Sequence, residues 1–253
     1  MHKTPLSFAE ALKNAQQLGY AEADPTFDIE GLDTGHKLSI LTSLAFGVPF
    51  HFDITAVEGI KGISSLDIQF AQKLGFVVKL LATVEKINDR LAYQVAPTLI
   101  PQNSILAQVS DAMNAVEIVG DAVGETLFYG AGAGGEATAS AVLADVIDIA
   151  KGHKSIVKPD SATVVTFLDN NEKRNKNYIR FNSSSLNDLT NHVLPTLEKH
   201  QIVVEKIEEI NENLVLLTQE IDEKTLQKAL TELSQTYCNQ LSFTRFRLAK
   251  SVN

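Results

Sequence analysis

The 253-residue chain has one cysteine, Cys238, and no tryptophan. A single thiol excludes an intramolecular disulfide and any zinc site built on several cysteines. Positive charge is also scarce: 22 Lys and Arg stand against 31 Asp and Glu, a formal net charge of -9. Nucleic-acid binding needs clustered cations. The one basic cluster, Lys173, Arg174 and Lys176, lies in a polar run and reads as a solvated loop, so no nucleic-acid partner is expected. No apolar run approaches the roughly 20 residues that span a bilayer, and the N-terminus lacks the apolar centre of a signal peptide. A soluble, cytoplasmic protein with no membrane partner is expected. What is abundant is core material, since 44% of residues are hydrophobic, which argues against disorder.

The spacing of Leu6, Phe8, Ala11, Leu12, Ala15 and Leu18 predicts a helix over 6–18, stopped by Gly19. A second is predicted over 33–46, with Asp33 as N-cap, Gly47 past its end, and Leu38, Leu41, Leu44 and Ala45 on its apolar face. A third covers Leu66 to Leu74. Strands over 76–87 and 91–100 flank Asn88-Asp89-Arg90, and strands over 115–121 and 125–130 flank Ala122-Val123-Gly124, giving two hairpins. A glycine loop then leads into a helix over 136–150. The polar stretch KGHKSIVKPDSA, residues 151–162, marks a boundary, so the predicted domains are 1–155 and 156–253. A strand, VVTFLD, and a loop come first in the second part. From Asn177 the order is βαββαβ, which gives a four-stranded antiparallel sheet with two helices on one face. Pro195 predicts a kink or short break in the first of those helices. The expected class is α+β: a mixed-sheet domain with helices, followed by a ferredoxin-like unit.

Three stretches could carry chemistry. In AEADPTFDIEGLDTGHK, residues 21–37, Glu22, Asp24, Asp28, Glu30 and Asp33 precede Lys37. Asp33 and Lys37 share a helix face, so one reading is a cap with a solvent ion pair worth a few tenths of a kcal/mol. A calcium loop fits only in part: Asp28, Glu30 and Gly31 match, but Thr26 stands where an acid is needed. In the functional reading, Lys37 works on an oxygen while carboxylates hold the substrate. Neighbouring carboxylates favour the charged form of a lysine, so a proton-donor or electrophile role is easier to defend than a free base.

The second stretch is YGAGAGGEATAS, residues 129–140, where Gly130, Gly132 and Gly135 spell G-x-G-x-x-G between strand and helix. A dinucleotide fingerprint needs parallel strands, which tight hairpins forbid. The remaining readings are a glycine turn that lets backbone approach a ligand, or tight packing alone. Third, His36, His51, His153, His192 and His200 show no metal-helix spacing and read as surface or core residues. No metal site is expected.

The full run AQQLGYAEADPTFDIEGLDTGHK, residues 15–37, resembles the signature of homoserine dehydrogenases. Ala15, Gly19, Asp24-Pro25, Asp28, Gly31, Asp33 and Lys37 occupy its fixed points. LSFAEAL, LSILTSLAFG and residues 129–150 are similar to the family as well, so the resemblance extends to about residue 155. It implies an NAD(P)-dependent oxidoreductase that interconverts L-homoserine and L-aspartate 4-semialdehyde, in the biosynthesis of threonine, methionine and isoleucine. Lys37 would be the catalytic lysine, and Asp33 would join it. Glu22 and Asp33 would bind the substrate, with Tyr20 and Asp28 shaping the pocket. Gly132, Ala133 and Gly134 would lie along the nicotinamide side of the cofactor.

The family's nucleotide-binding domain precedes this signature and is missing from the sequence here. The chain resembles the C-terminal portion of such an enzyme, so it should not bind NAD(P) tightly or be active alone. A separate nucleotide-binding domain is an implied partner, and a homodimer is expected. The βαββαβ tail resembles an ACT domain, a module that often binds an amino acid. Its stretch FNSSSLNDL lacks the usual glycine, which counts against an effector such as threonine and favours a structural tail. The alternative function is a non-catalytic regulatory subunit that senses an amino acid through that tail.

Overall fold

The structure is a computed structural model, and it describes residues 6–153, 166–182, 186–210, 213–237 and 242–249. Its first part runs α1 (Phe8–Gln17), α2 (Thr26–Ile29), α3 (Leu32–Phe46), α4 (Ser65–Lys73), β1 (Phe76–Ile87), β2 (Arg90–Pro101), β3 (Met113–Gly120), β4 (Gly124–Ala131) and α5 (Gly135–Ala150). The second runs β5 (Thr166–Phe167), β6 (Arg174–Asn175), β7 (Asn177–Asn182), α6 (Leu186–Lys199), β8 (Val204–Ile210), β9 (Asn213–Thr218), β10 (Ile221–Asp222), α7 (Glu223–Thr236) and β11 (Ser242–Leu248). The expected α+β class holds. Both helix starts at α1 and α4 carry reciprocal capping boxes, Ser7 with Glu10 and Ser64 with Asp67, which satisfy amides that the helix leaves unpaired. No described helix is long and apolar enough to cross a membrane.

Strands β7, β8, β9 and β11 form the expected antiparallel unit in the order β11-β7-β9-β8. Helices α6 and α7 cover one face: Val193, Leu197, Leu226, Leu230 and Leu233 pack on Ile179, Phe181, Leu214 and Leu216. Helix α6 runs through Pro195 without a break. The opposite face is covered from the first part of the chain. Ile68, Phe70 and Ala71 of α4 pack on Tyr178, Val215, Leu217 and Phe246. Because both faces are buried, β9 is buried along its whole length and reads as a continuous apolar run.

The sheet does not stop at β11. Arg247 and Leu248 pair in parallel with Thr98 and Leu99 of β2, and β2 pairs antiparallel with β1 from Phe76↔Pro101 to Ile87↔Arg90. The long β1–β2 hairpin therefore extends the tail's sheet, and a further cluster of Leu38, Ala56, Tyr93 and Val95 joins α3 to that hairpin. Hairpin β3–β4 forms its own two-stranded sheet. The predicted boundary stretch 151–162 and the FNSSSLNDL loop fall partly outside the described residues.

Candidate active site

Glycine sets up the start of α3. Gly31 has φ +76°, and a Cβ there would meet Val57 at 3.2 Å and the Glu58 carbonyl at 3.4 Å. Only glycine accepts that conformation without penalty. Gly31 rather than Asp33 is the N-cap, and it offers no side-chain bond. This corrects the predicted cap. Asp33 sits inside the first turn, so its carboxylate is left for another partner. That partner is Lys37, whose Nζ lies 2.6 Å from Asp33 Oδ2, with the two side chains 63% and 41% exposed. A carboxylate in the first turn also faces the positive end of the helix.

Helix α3 is pinned from below. Tyr93 of β2 donates its hydroxyl to the Gly35 carbonyl at 2.5 Å. Burial, and then the Asp53 charge, push the Tyr93 hydroxyl up to about 12, so it stays a donor. Ser43 donates to the Val48 carbonyl at 2.6 Å, and Ser39 accepts the His51 amide at 3.1 Å. The buried face is thus Gly35, Leu38, Ser39, Thr42 and Ser43. Of the predicted apolar face only Leu38 is buried; Leu41, Leu44 and Ala45 are exposed. The reason is spacing: a Cβ on Gly35 would approach the Phe52 ring to 2.8 Å, so the inner side takes small residues.

The acidic loop is held by the side chains of Gln16 and Asp24. Gln16 donates to the Glu22 and Ala23 carbonyls at 3.0 and 3.3 Å, and Asp24 accepts the Thr26 amide and hydroxyl at 3.1 and 2.6 Å. Glu30 approaches Lys61 at 3.7 Å. Tyr20, Glu22 and Asp28 are exposed. The Glu22 and Asp28 carboxylates make no hydrogen bond or ion pair among the described residues, which leaves both open to a ligand. Above the loop, His36 stacks between Phe27 at 5.8 Å and Phe52 at 4.3 Å. That sandwich sits beside Lys37 and was not legible in the sequence, since its three members are nine and sixteen residues apart.

The glycine loop is built differently. The Gly132 amide donates to the Ala112 carbonyl at 2.9 Å, and a Cβ on Gly132 would overlap the Asn114 amide group. Gly134, at φ +112°, caps α5 without a side-chain bond. A Cβ at Gly130, Gly134 or Gly135 would meet open space, so backbone there is approachable. The preceding strands β3 and β4 pair antiparallel; the turn is not that of a parallel nucleotide-binding unit. Among the described residues, no hydrogen bond or ion pair joins residues 132–134 to the Tyr20–Lys37 region, and no three His, Cys, Asp or Glu are grouped to hold a metal ion.

The basic cluster needs a correction. Lys173 is 6% exposed, and its ammonium donates to the Tyr93 carbonyl and to Asn170. Arg174 stays near Asp222 and Lys176 pairs with Glu205. Three cations within four residues of a polar run gave no sign that one of them turns inward to cap a strand carbonyl.

The sequence profile of the homoserine dehydrogenase family matches residues 1–147. A homoserine dehydrogenase of Neisseria gonorrhoeae is 38% identical, with 98% of this chain and 60% of that protein aligned. One from Pseudomonas aeruginosa is 37% identical over 92% of this chain and 57% of that protein. The crystal structure of a homoserine dehydrogenase from Thiobacillus denitrificans superposes with a TM-score of 0.86 at 36% identity, covering 99% of this chain and 60% of that one. The chain spans about three fifths of the length of these relatives.

Proposed function

We propose a function from one premise: the chain belongs to the homoserine dehydrogenase family. It would carry the substrate side of an NAD(P)-dependent oxidoreductase that interconverts L-homoserine and L-aspartate 4-semialdehyde. The observation that supports this best is the Asp33–Lys37 pair, 2.6 Å apart and open to solvent at the head of α3, preceded in the chain by the unengaged Glu22 and Asp28 carboxylates.

The parts divide by chemistry. The free Glu22 carboxylate attracts the ammonium of homoserine, and Asp28 and Tyr20 bound the same loop. Lys37 presents its ammonium to the oxygen that is a hydroxyl in one substrate and a carbonyl in the other. Held by Asp33, it acts as donor and electrophile: it stabilises negative charge as that oxygen gains it, and passes a proton back as the carbonyl is reduced. Fixing the oxygen against Lys37 also turns an encounter into a positioned reaction. A bound nicotinamide supplies the hydride acceptor or donor. Residues 132–134 fit only an edge of such a group: the Gly132 amide is already donated to the Ala112 carbonyl, and the open backbone at Gly134 is what can meet a polar rim. The rest of the cofactor needs a nucleotide-binding body, and this chain alone is proposed to be inactive.

The second element of the proposal is a homodimer. Helix α5 has no buried residue, and Val142, Leu143, Val146, Ile147 and Ile149 on it are exposed, as are Val116 and Phe128, which face each other across β3 and β4. Apolar side chains exposed together on these elements support a protein–protein interface. The functional test is homoserine-dependent NADP reduction by the chain joined to a relative's nucleotide-binding domain. Turnover that needs both parts is expected. No turnover from the joined protein, or full turnover from the chain alone, would defeat the proposal.

A further inference from the structure

The segment after α3 meets the head of that helix backbone to backbone. The Ile60 amide donates to the Ile29 carbonyl at 2.8 Å, and the Glu58 amide to the Val95 carbonyl at 2.8 Å. A Cβ on Gly59 would lie 2.3 Å from the Ile29 oxygen and 2.6 Å from the Glu30 Cα. No side chain can enter there, so the backbones of residues 57–60 and 29–31 lie in direct contact.

Glu58, inside that segment, is held by the far end of the chain. Its carboxylate accepts Arg247 Nη1 at 2.6 Å, Arg247 Nη2 at 2.5 Å and Arg245 Nη2 at 3.1 Å. Arg245 also donates to Glu223, the first residue of α7, at 2.6 Å. The two arginine side chains are 9% and 7% exposed. Burial alone would raise the Glu58 carboxyl, but the Arg247 hydrogen bond and the Arg247 and Arg245 charges outweigh it and hold it below the ordinary range. Two buried guanidiniums need two anions. Glu223 belongs to the tail; Glu58 is the one drawn from the other part of the chain.

We propose that Glu58 is a positioning residue for the substrate loop: clamped by Arg245 and Arg247, it fixes through Gly59 the Ile29–Gly31 turn from which α3 presents Asp33 and Lys37. The tail then sets the fraction of molecules whose loop is competent to bind. A ligand that binds only that fraction shows a dissociation constant divided by it, so loosening the clamp raises KM and spares kcat. The inference rests on the substrate reading of that loop; its mechanical half does not.

The test compares wild type with Glu58→Gln, which keeps hydrogen-bonding shape and removes the charge. In the chain itself, amide hydrogen exchange at Ile60 and at Gly35, bonded to the Gly31 carbonyl at 2.9 Å, should speed up about tenfold, while Ile179 and Leu216 in the sheet are unchanged. In the chain joined to a nucleotide-binding domain, KM for homoserine should rise about tenfold with kcat within twofold. Arg247→Met should repeat both effects. A folded Glu58→Gln protein with wild-type exchange at Ile60 and Gly35 overturns the inference. Faster exchange with an unmoved KM overturns it too, leaving Glu58 as an ordinary strut. If the wild-type joined protein turns over no homoserine, the functional reading fails and the claim on substrate falls with it, while the exchange result separately decides the mechanical link.

Discussion

Asp67 and Arg180, 113 residues apart in the chain, form a two-pronged ion pair at 2.6 and 3.1 Å. Asp67 is fully buried and Arg180 is 11% exposed. The same Asp67 carboxylate accepts the Ser64 amide at 3.1 Å and the Ser64 hydroxyl at 2.5 Å. It thus starts α4 and fastens it to β7 at once. Removing one partner of such a pair strands a buried charge and costs about 3–5 kcal/mol. Asp67→Ala should lower unfolding stability by that amount in urea titration, whereas Asp67→Ala with Arg180→Met should recover part of it. A single-variant loss below about 1 kcal/mol, the range of exposed pairs, would refute the assignment.

Lys37→Ala, made in the chain joined to a nucleotide-binding domain, should lower kcat by about 10²- to 10⁴-fold, the range of a positioned proton donor. Substrate binding should weaken far less. Because Lys37 is exposed and its partner Asp33 is exposed, the melting temperature should barely move. Steady-state kinetics beside a thermal melt separates the two effects, and an unchanged kcat would remove Lys37 from the reaction.

Lys173 gives a pH dependence with a definite sign. Burial first, and then the Arg247 charge, lower its ammonium from 10.5 to about 8. The unfolded chain therefore binds more protons than the folded one between about 8 and 10.5, and stability contributed by this group rises with pH across that window. The penalty is fully present below pH 8. Lys173→Met should remove it, so the difference in urea midpoint between variant and wild type should shrink from pH 7.5 to pH 10. At 1.36 kcal/mol per unit the change is on the order of 3 kcal/mol. A difference that stays constant would show that Lys173 does not change its charge there.

Self-association is expected through the apolar surface of β3, β4 and α5. Analytical ultracentrifugation of the chain should show a dimer, and Val116→Glu with Phe128→Glu should shift it to monomer, since a charge in an apolar interface is costly. A monomer at high concentration in the wild type would contradict the dimer.

The alternative, a regulatory tail, is tested by calorimetry with threonine. Because FNSSSLNDL lacks a glycine, no saturable heat is expected; a clear saturable binding isotherm would revive the effector reading.

Local chemistry was legible in the residues. Alternation and turn residues placed both hairpins to within two residues, because strand period and turn preference depend only on near neighbours. The βαββαβ order was readable for the same reason. The spacing from Ala15 to Lys37 marked the candidate loop, with Asp33 and Lys37 one helical turn apart. What sequence could not carry was decided between residues far apart. Asp33 loses the cap to Gly31 because Val57 and the Glu58 carbonyl crowd that corner. Lys173 turns inward because the Tyr93 carbonyl lies there to receive it. The sheet of the tail continues into the β1–β2 hairpin because Arg247 and Leu248 find the edge of β2, and Glu58 reaches Arg247 across 189 positions. Such contacts arise from packing two distant segments against one another, and no window along the chain contains both.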